Sequence, residues 1–262
     1  MRACLLLIGA TVVFAKTYPV DGIVLAVDPA AHTMLVSHRP IAKYMPAMVM
    51  PFRVESANDL AALYPGARVQ FDLEIGKQHS LARHVRKAAG ADVEIAPPKE
   101  RRHIGDALPE FRLTDQTGAS VTPADLRGSV VAIDFIYTRC PLPDVCPRLS
   151  ANFATLQRRF RGRNVMLLSV TVDPDYDTPA VIAAYGRRWA ADPAMWRMLT
   201  GDIAPLAAAL GEVYWTDEGS IGHNSTTTIL DRTGRIAAVV DGSNYRIDQL
   251  EHLIAQELEK RQ

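Results

Sequence analysis

Two textures of apolar and polar residues follow one another along this chain. From about residue 17 to 89 they alternate with a period of two, in VDGIVLAVD, TMLVSH, MVMPFRV and RVQFDLEI, with Gly, Pro and Asp turns between the runs. Such alternation marks strands with one buried face. The spacing predicts a small all-β, five-stranded barrel. SANDLAALYPG, between two strands, reads as a helical turn capped by Ser56 or Asn58 and stopped by Pro65-Gly66.

From Ile104 the texture changes. VVAIDFIY and NVMLLSVTVD are mostly apolar runs without alternation and read as buried strands. PRLSANFATLQRRFRG reads as a helix with Pro147 near its first turn and Gly162 at its end. DTPAVIAAYGRRWA and RIDQLEHLIAQELEKR read as two more helices, and TTTILDRTGRIAAVVDG as a hairpin. Strands alternating with helices and closing in a hairpin predict an α/β, thioredoxin-like fold over 104–262. The fold class is thus two-domain: an OB-like barrel over 17–89, an Ala-, Pro- and charge-rich linker over 90–103, and the α/β domain.

Composition removes some function classes. Formal net charge is 0, which argues against nucleic-acid binding and against attraction to an anionic membrane. The basic runs RHVRK and KERRH read as solvated charge. Residues 1–15 read as a secretory signal peptide: Arg2, a short apolar stretch, then the small-x-small site Val13-Phe14-Ala15. The expected location is periplasmic or secreted. An uncleaved leader anchoring the protein to the inner membrane is the alternative, and any other membrane association is peripheral.

Once Cys4 of the leader is set aside, only Cys140 and Cys146 remain, in TRCPLPDVCP. Export to an oxidising compartment makes a structural disulfide the plain reading. A bridge there would close a very short loop, however, and stabilise the fold little. Two thiolates with an imidazole from His223 make a donor set suited to soft copper, and the same thiols could do disulfide chemistry. Cys146 stands at a helix start, so a lowered thiol pKa is expected there. Asp134, six positions before Cys140 in an apolar strand, is a candidate proton acceptor for thiol chemistry. Asp173 and Asp177 could support the site by hydrogen bonding or simply cap the next helix.

A second cluster lies in SHRPIAKYMPAMVMPF: His38, Met45, Met48 and Met50. Thioethers favour Cu(I) over hard ions. Met48 and Met50 are two apart on a strand and share a face. Core filling is the alternative, and Met34 is left to the core. The remaining histidines join neither cluster.

TRCPLPDVCP, SVTVDPDYDTPAVIAAY and GHNSTTTILDRTGRI together resemble the SCO/SenC family of thioredoxin-fold copper chaperones, which serve assembly of the binuclear copper centre of cytochrome c oxidase. The resemblance implies Cys140, Cys146 and His223 as copper ligands and an oxidase subunit as copper acceptor. The chain departs from the family in its C-x5-C spacing, two residues longer than the usual C-x-x-x-C. Ser225 stands where thioredoxins carry a cis-proline, which favours metal over general dithiol exchange. The Met segment resembles the CusF-like periplasmic copper-binding barrel, with His38, Met48 and Met50 matching and Met45 in place of its Trp. The chain therefore reads as a Cu(I)-binding metallochaperone, with Cu(II) as a second state of the Cys–His site. A thiol–disulfide oxidoreductase that reduces the acceptor's cysteines is the rival.

Overall fold

The computed structural model describes residues 16–76, 80–95, 101–217 and 220–260; the leader and His79 lie outside these. The chain divides into two compact units, Met1–Asp92 and Val93–Gln262.

The first unit is one antiparallel sheet of five strands: β1 Lys16–Asp28, β2 Thr33–His38, β3 Met48–Arg53, β4 Arg68–Ile75 and β5 Ser80–Lys87, in the order β3-β2-β1-β4-β5. Alternation does what the sequence predicts. Met34, Val36 and His38 of β2 are buried, as are Val69, Phe71 and Leu73 of β4. These side chains meet Phe52 and Val54 in one apolar core. Val54, just past β3, bridges Ala82 of β5, so the sheet curls until its edges touch. That single bridge stands where a closed barrel would have a full ladder, giving the partly open OB-like form. The predicted helical turn is a 3-10 helix, Ala57–Leu60, capped by the Ser56 hydroxyl.

The second unit is built on a seven-stranded sheet. In chain order its strands are β6 Leu113–Asp115, β7 Ser120–Val121, β8 Val130–Ile136, β9 Val165–Thr171, β10 Trp196–Thr200, β13 Thr226–Leu230 and β14 Ile236–Asp241. The spatial order is β14-β13-β8-β9-β10-β6-β7. β8 is central, and every one of its residues is buried, which explains a run that is apolar but for Asp134. The helices are α1 Cys146–Arg159, α2 Pro179–Arg188, α3 Ala204–Leu210 and α4 Ile247–Glu259. α1 and α4 pack on β8 and on each other, burying Leu149, Phe153 and Leu156 from one and Leu250, Ile254 and Leu258 from the other. Parallel β8-β9-β10 flanked by antiparallel β13-β14 makes the predicted thioredoxin-like arrangement. A further hairpin, β11 Tyr214–Asp217 with β12 Ser220–His223, stands apart from the main sheet.

Periodicity missed β6, β7, β10, α3 and the β11–β12 hairpin. No single strand or helix among them exceeds seven residues, too few to show a repeat. α3 stops at Gly211, whose φ of 74° is the left-handed conformation that glycine adopts without cost at a helix end.

Candidate metal centres

In the second unit the chain folds so that two distant segments converge. β8 ends at Ile136, and the turn after it carries Cys140 before α1 opens at Cys146. β12 ends at His223. The Cys146 sulfur lies 3.7 Å from His223 Nε2, both side chains buried. Cys140, half-buried, donates its thiol to the Leu142 carbonyl at 3.8 Å and interacts electrostatically with the Cys146 thiol; both cysteines are free thiols. Tyr137 packs edge-on against His223, ring centroids 6.0 Å apart.

The expectation for the thiols is reversed. Hydrogen bonding from Cys146 is the main cause that lowers the Cys140 pKa to about 6, with the backbone at Leu142 and Cys146 assisting against the cost of burial. Cys146, which was to gain from the helix start, is pushed up instead, first because it donates to Cys140 and then by burial. The helix-end amide serves the sulfur in the turn, because Cys146 itself points into the core. Cys140 is thus the more acidic thiol of the reduced pair. Iodoacetamide is expected to alkylate Cys140 with a rate that rises through about pH 6 and levels near neutrality. Cys146 stays unmodified until the protein unfolds. Peptide mapping checks this; a Cys140 rate that keeps rising through pH 8–9, as for an ordinary thiol, would count against it.

Asp134 lies on β8, wholly buried, with neither oxygen hydrogen-bonded in the folded protein. Burial raises its pKa to about 8; the nearby Ser169 hydroxyl offsets this only in part, and the negative field of Glu212 adds to it.

The two aspartates after β9 hold the cysteine turn. Asp177 is fully buried and accepts from the Thr138 N–H at 3.0 Å, from the Thr171 hydroxyl at 2.5 Å and from the Thr138 hydroxyl. Thr178, not Asp177, occupies the cap position of α2. Asp173 pairs with Arg139 Nε at 2.6 Å, and Arg139 lies over the Tyr176 ring. Both residues immediately ahead of Cys140 are therefore tethered.

One polar partner escaped the sequence reading. Glu212, buried just beyond α3, places Oε1 2.7 Å from His223 Nδ1. It also accepts the N–H groups of Ser225 and Thr226 at 3.2 and 3.0 Å. Asn224 ties the two segments further, taking the Val213 N–H and donating to the Gly211 carbonyl. Gly222 lies under Trp215; a Cβ there would sit 2.3 Å from the indole, so glycine is required. Ser225 takes a left-handed φ of 50° and feeds β13. Nothing local marks Glu212: its pairing with His223 spans eleven positions and depends on the hairpin.

In the first unit, β2 and β3 pair so that His38 faces Met48, Val36 faces Met50 and Met34 faces Phe52. These side chains share one face of the sheet. Met45 bridges back to Ile41 just ahead of β3. Met45 and Met50 border the core, whereas Met48 is 39% exposed and fills no core position. Gly22 of β1 pairs with His38; a Cβ there would meet Val36 at 2.5 Å. His38 is buried, its Nδ1 2.7 Å from the Arg39 carbonyl and its Nε2 without a hydrogen-bond partner. Because the carbonyl can only accept, Nδ1 carries the proton and Nε2 keeps its lone pair. Burial lowers the His38 pKa and so favours the neutral ring. An unpartnered imidazole nitrogen beside thioether residues fits a soft cation. Among the described residues, no group of three or more His, Cys, Asp and Glu side chains is already arranged as a metal cage.

Comparison with known proteins places both units. Residues 99–259 match the sequence model of SCO1/SenC, and residues 17–87 that of the copper binding periplasmic protein CusF. An SCO1 protein homolog of Bacillus subtilis is 31% identical over 93 residues, 35% of this chain and 47% of that protein. An SCO2-like protein of Rickettsia typhi is 28% identical over 149 residues, 52% of this chain and 70% of the relative. The chain thus spans about half the length of the Bacillus relative. An SCO1/SenC family lipoprotein from Bacillus anthracis superposes with a TM-score of 0.55 at 28% identity, over 61% of this chain and 99% of that one. A member of the Sco family of cytochrome c oxidase assembly proteins, described with a disulfide switch, superposes with a TM-score of 0.53 over 62% of this chain and 100% of that one. At 20% identity that likeness speaks for the fold alone. The 99–259 match spans more than half of the sequence and contains the cysteine turn and the His223 loop, so the chain belongs to the SCO1/SenC family.

Proposed function

We propose that this protein is a periplasmic copper chaperone serving assembly of the binuclear copper centre of cytochrome c oxidase. The C-terminal unit holds copper through Cys140, Cys146 and His223, and the N-terminal unit captures Cu(I) through His38, Met45, Met48 and Met50. The observation that carries this reading is the approach of the Cys146 sulfur to His223 Nε2, 77 positions away, with the Cys140 thiol interacting electrostatically with that of Cys146. Soft sulfur donors in both units, and a match of the first to a copper-binding periplasmic protein, support a shared cargo. The apolar leader supports export. Among the described residues no helix is long and apolar enough to cross a membrane. One site feeding the other is a further part of the proposal, since a tether raises effective concentration. Failure of copper to move between loaded and empty sites would remove that part.

Anaerobic Cu(I) titration of the reduced protein tests the reading. The parent is expected to bind two coppers, and His223→Ala and His38→Ala one each. If His223→Ala binds as much as the parent, the chaperone assignment of the cysteine unit fails.

A thiol–disulfide oxidoreductase is the second reading, favoured by the unpartnered Asp134 and the lowered Cys140 pKa. Such an enzyme needs a dithiol potential below that of its target's disulfide, and a redox titration against glutathione decides it.

A further inference from the structure

We infer that Glu212 is a positioning residue that orients His223 for copper and biases the cysteine site toward Cu(II). The inference rests on the reading of that site as a copper site.

The geometry has two parts. First, the Glu212 carboxylate already accepts two backbone N–H groups, from Ser225 and Thr226, so toward His223 it acts as an acceptor as well. The ring nitrogen 2.7 Å away, Nδ1, is therefore the protonated one. Nε2 then keeps its lone pair, and it is Nε2 that lies 3.7 Å from the Cys146 sulfur. The carboxylate thus selects the tautomer and the ring plane in which His223 can donate to a metal shared with the thiols.

Second, the carboxylate is buried and one imidazole away from the metal position. Its side chain is fully shielded and that of His223 nearly so, so its charge is screened little by water. A carboxylate on the far nitrogen makes the imidazole a stronger donor, and two thiolates add further negative charge. Such a field stabilises a dication more than a monocation. The site therefore holds copper with a lower Cu(II)/Cu(I) potential than the same three ligands would have alone. The His–Met site of the first unit differs: His38 Nδ1 meets a neutral carbonyl, and its sulfur donors are uncharged. The two sites are thus built for different copper states, Cu(I) at the first and Cu(II) within reach at the second.

Two measurements on the full chain test this. In the reduced, metal-free parent, 15N NMR is expected to show His223 protonated at Nδ1 and bare at Nε2. Protonation at Nε2 would overturn the orienting role, and this result needs no variant. Glu212→Gln keeps the size and removes the charge. It is expected to lower Cu(II) affinity at the cysteine site about 10–100-fold, with a smaller change for Cu(I). The potential rises by about 59 mV for each tenfold of selective Cu(II) loss. An unchanged or lower potential in a folded variant would overturn the Cu(II) bias. If the parent takes up no copper that His223→Ala loses, the copper reading itself fails, and the bias with it. The tautomer then still decides whether Glu212 orients the ring.

Discussion

Asp177→Ala is expected to destabilise the C-terminal unit by about 3–5 kcal/mol, the cost of stripping three buried donors of their shared acceptor. The side chain is fully buried and takes three donors, from the Thr138 backbone, the Thr138 hydroxyl and the Thr171 hydroxyl. Alanine leaves all three without a partner, each at roughly 1–3 kcal/mol before relaxation. The damage is not confined to stability. Thr138 is two residues ahead of Cys140, so the turn loses the anchor that sets where that sulfur lies. Urea denaturation followed by tryptophan fluorescence reads the C-terminal unit alone, because Trp189, Trp196 and Trp215 all belong to it. Weaker copper uptake by the folded variant is expected alongside. A loss under about 1 kcal/mol would show that water replaces the carboxylate and that the turn is held otherwise.

Asp134→Asn is expected to act in the opposite direction, with an effect that depends on pH. The carboxyl titrates near pH 8 in the folded protein, because burial, offset only in part by the Ser169 hydroxyl, disfavours its charge, and near 3.8 when unfolded. Between those values the unfolded chain has released the proton while the folded one keeps it. Stability is therefore full below about pH 4 and falls as pH rises toward 8. At roughly 1.4 kcal/mol per pH unit, the loss by pH 7 is at most about 4 kcal/mol. Asparagine has the same shape and does not ionise, so the variant should match the parent near pH 4 and exceed it increasingly toward pH 8. Taking the difference between the two proteins removes the contribution of the Cys140 thiol. Parallel pH profiles would mean that Asp134 is solvated or paired in solution. The prediction bears on function too: a neutral carboxyl near the cysteines can supply a proton in the redox reading, whereas copper binding has no use for one.

Much of the architecture was legible in the chain, and for identifiable reasons. Alternation in TMLVSH placed His38 on the buried face, and pairing of β2 with β3 then set it opposite Met48. The mostly apolar run VVAIDFIY announced a buried strand, and the Pro-rich stretch after it announced a turn into a helix. The elements that went unseen, such as β10 and α3, are too short for any period to rise above chance. They are strands and helices because neighbours cover them, as β9 and β6 cover β10.

The same division runs through the sites. Residue type and local spacing marked Cys140, Cys146, His38, Met45, Met48 and Met50 as candidate donors, because donor chemistry belongs to each side chain wherever it sits, and the family resemblance joined the distant His223 to the cysteines. Which groups tune those donors was decided only by the tertiary structure. Glu212 reaches His223 across a hairpin, Asp177 reaches Thr138 across 39 positions, and the lowered thiol pKa falls to Cys140 rather than Cys146. Proton positions and charge depend on burial and on partners brought together through space, and periodicity along the chain carries no record of either.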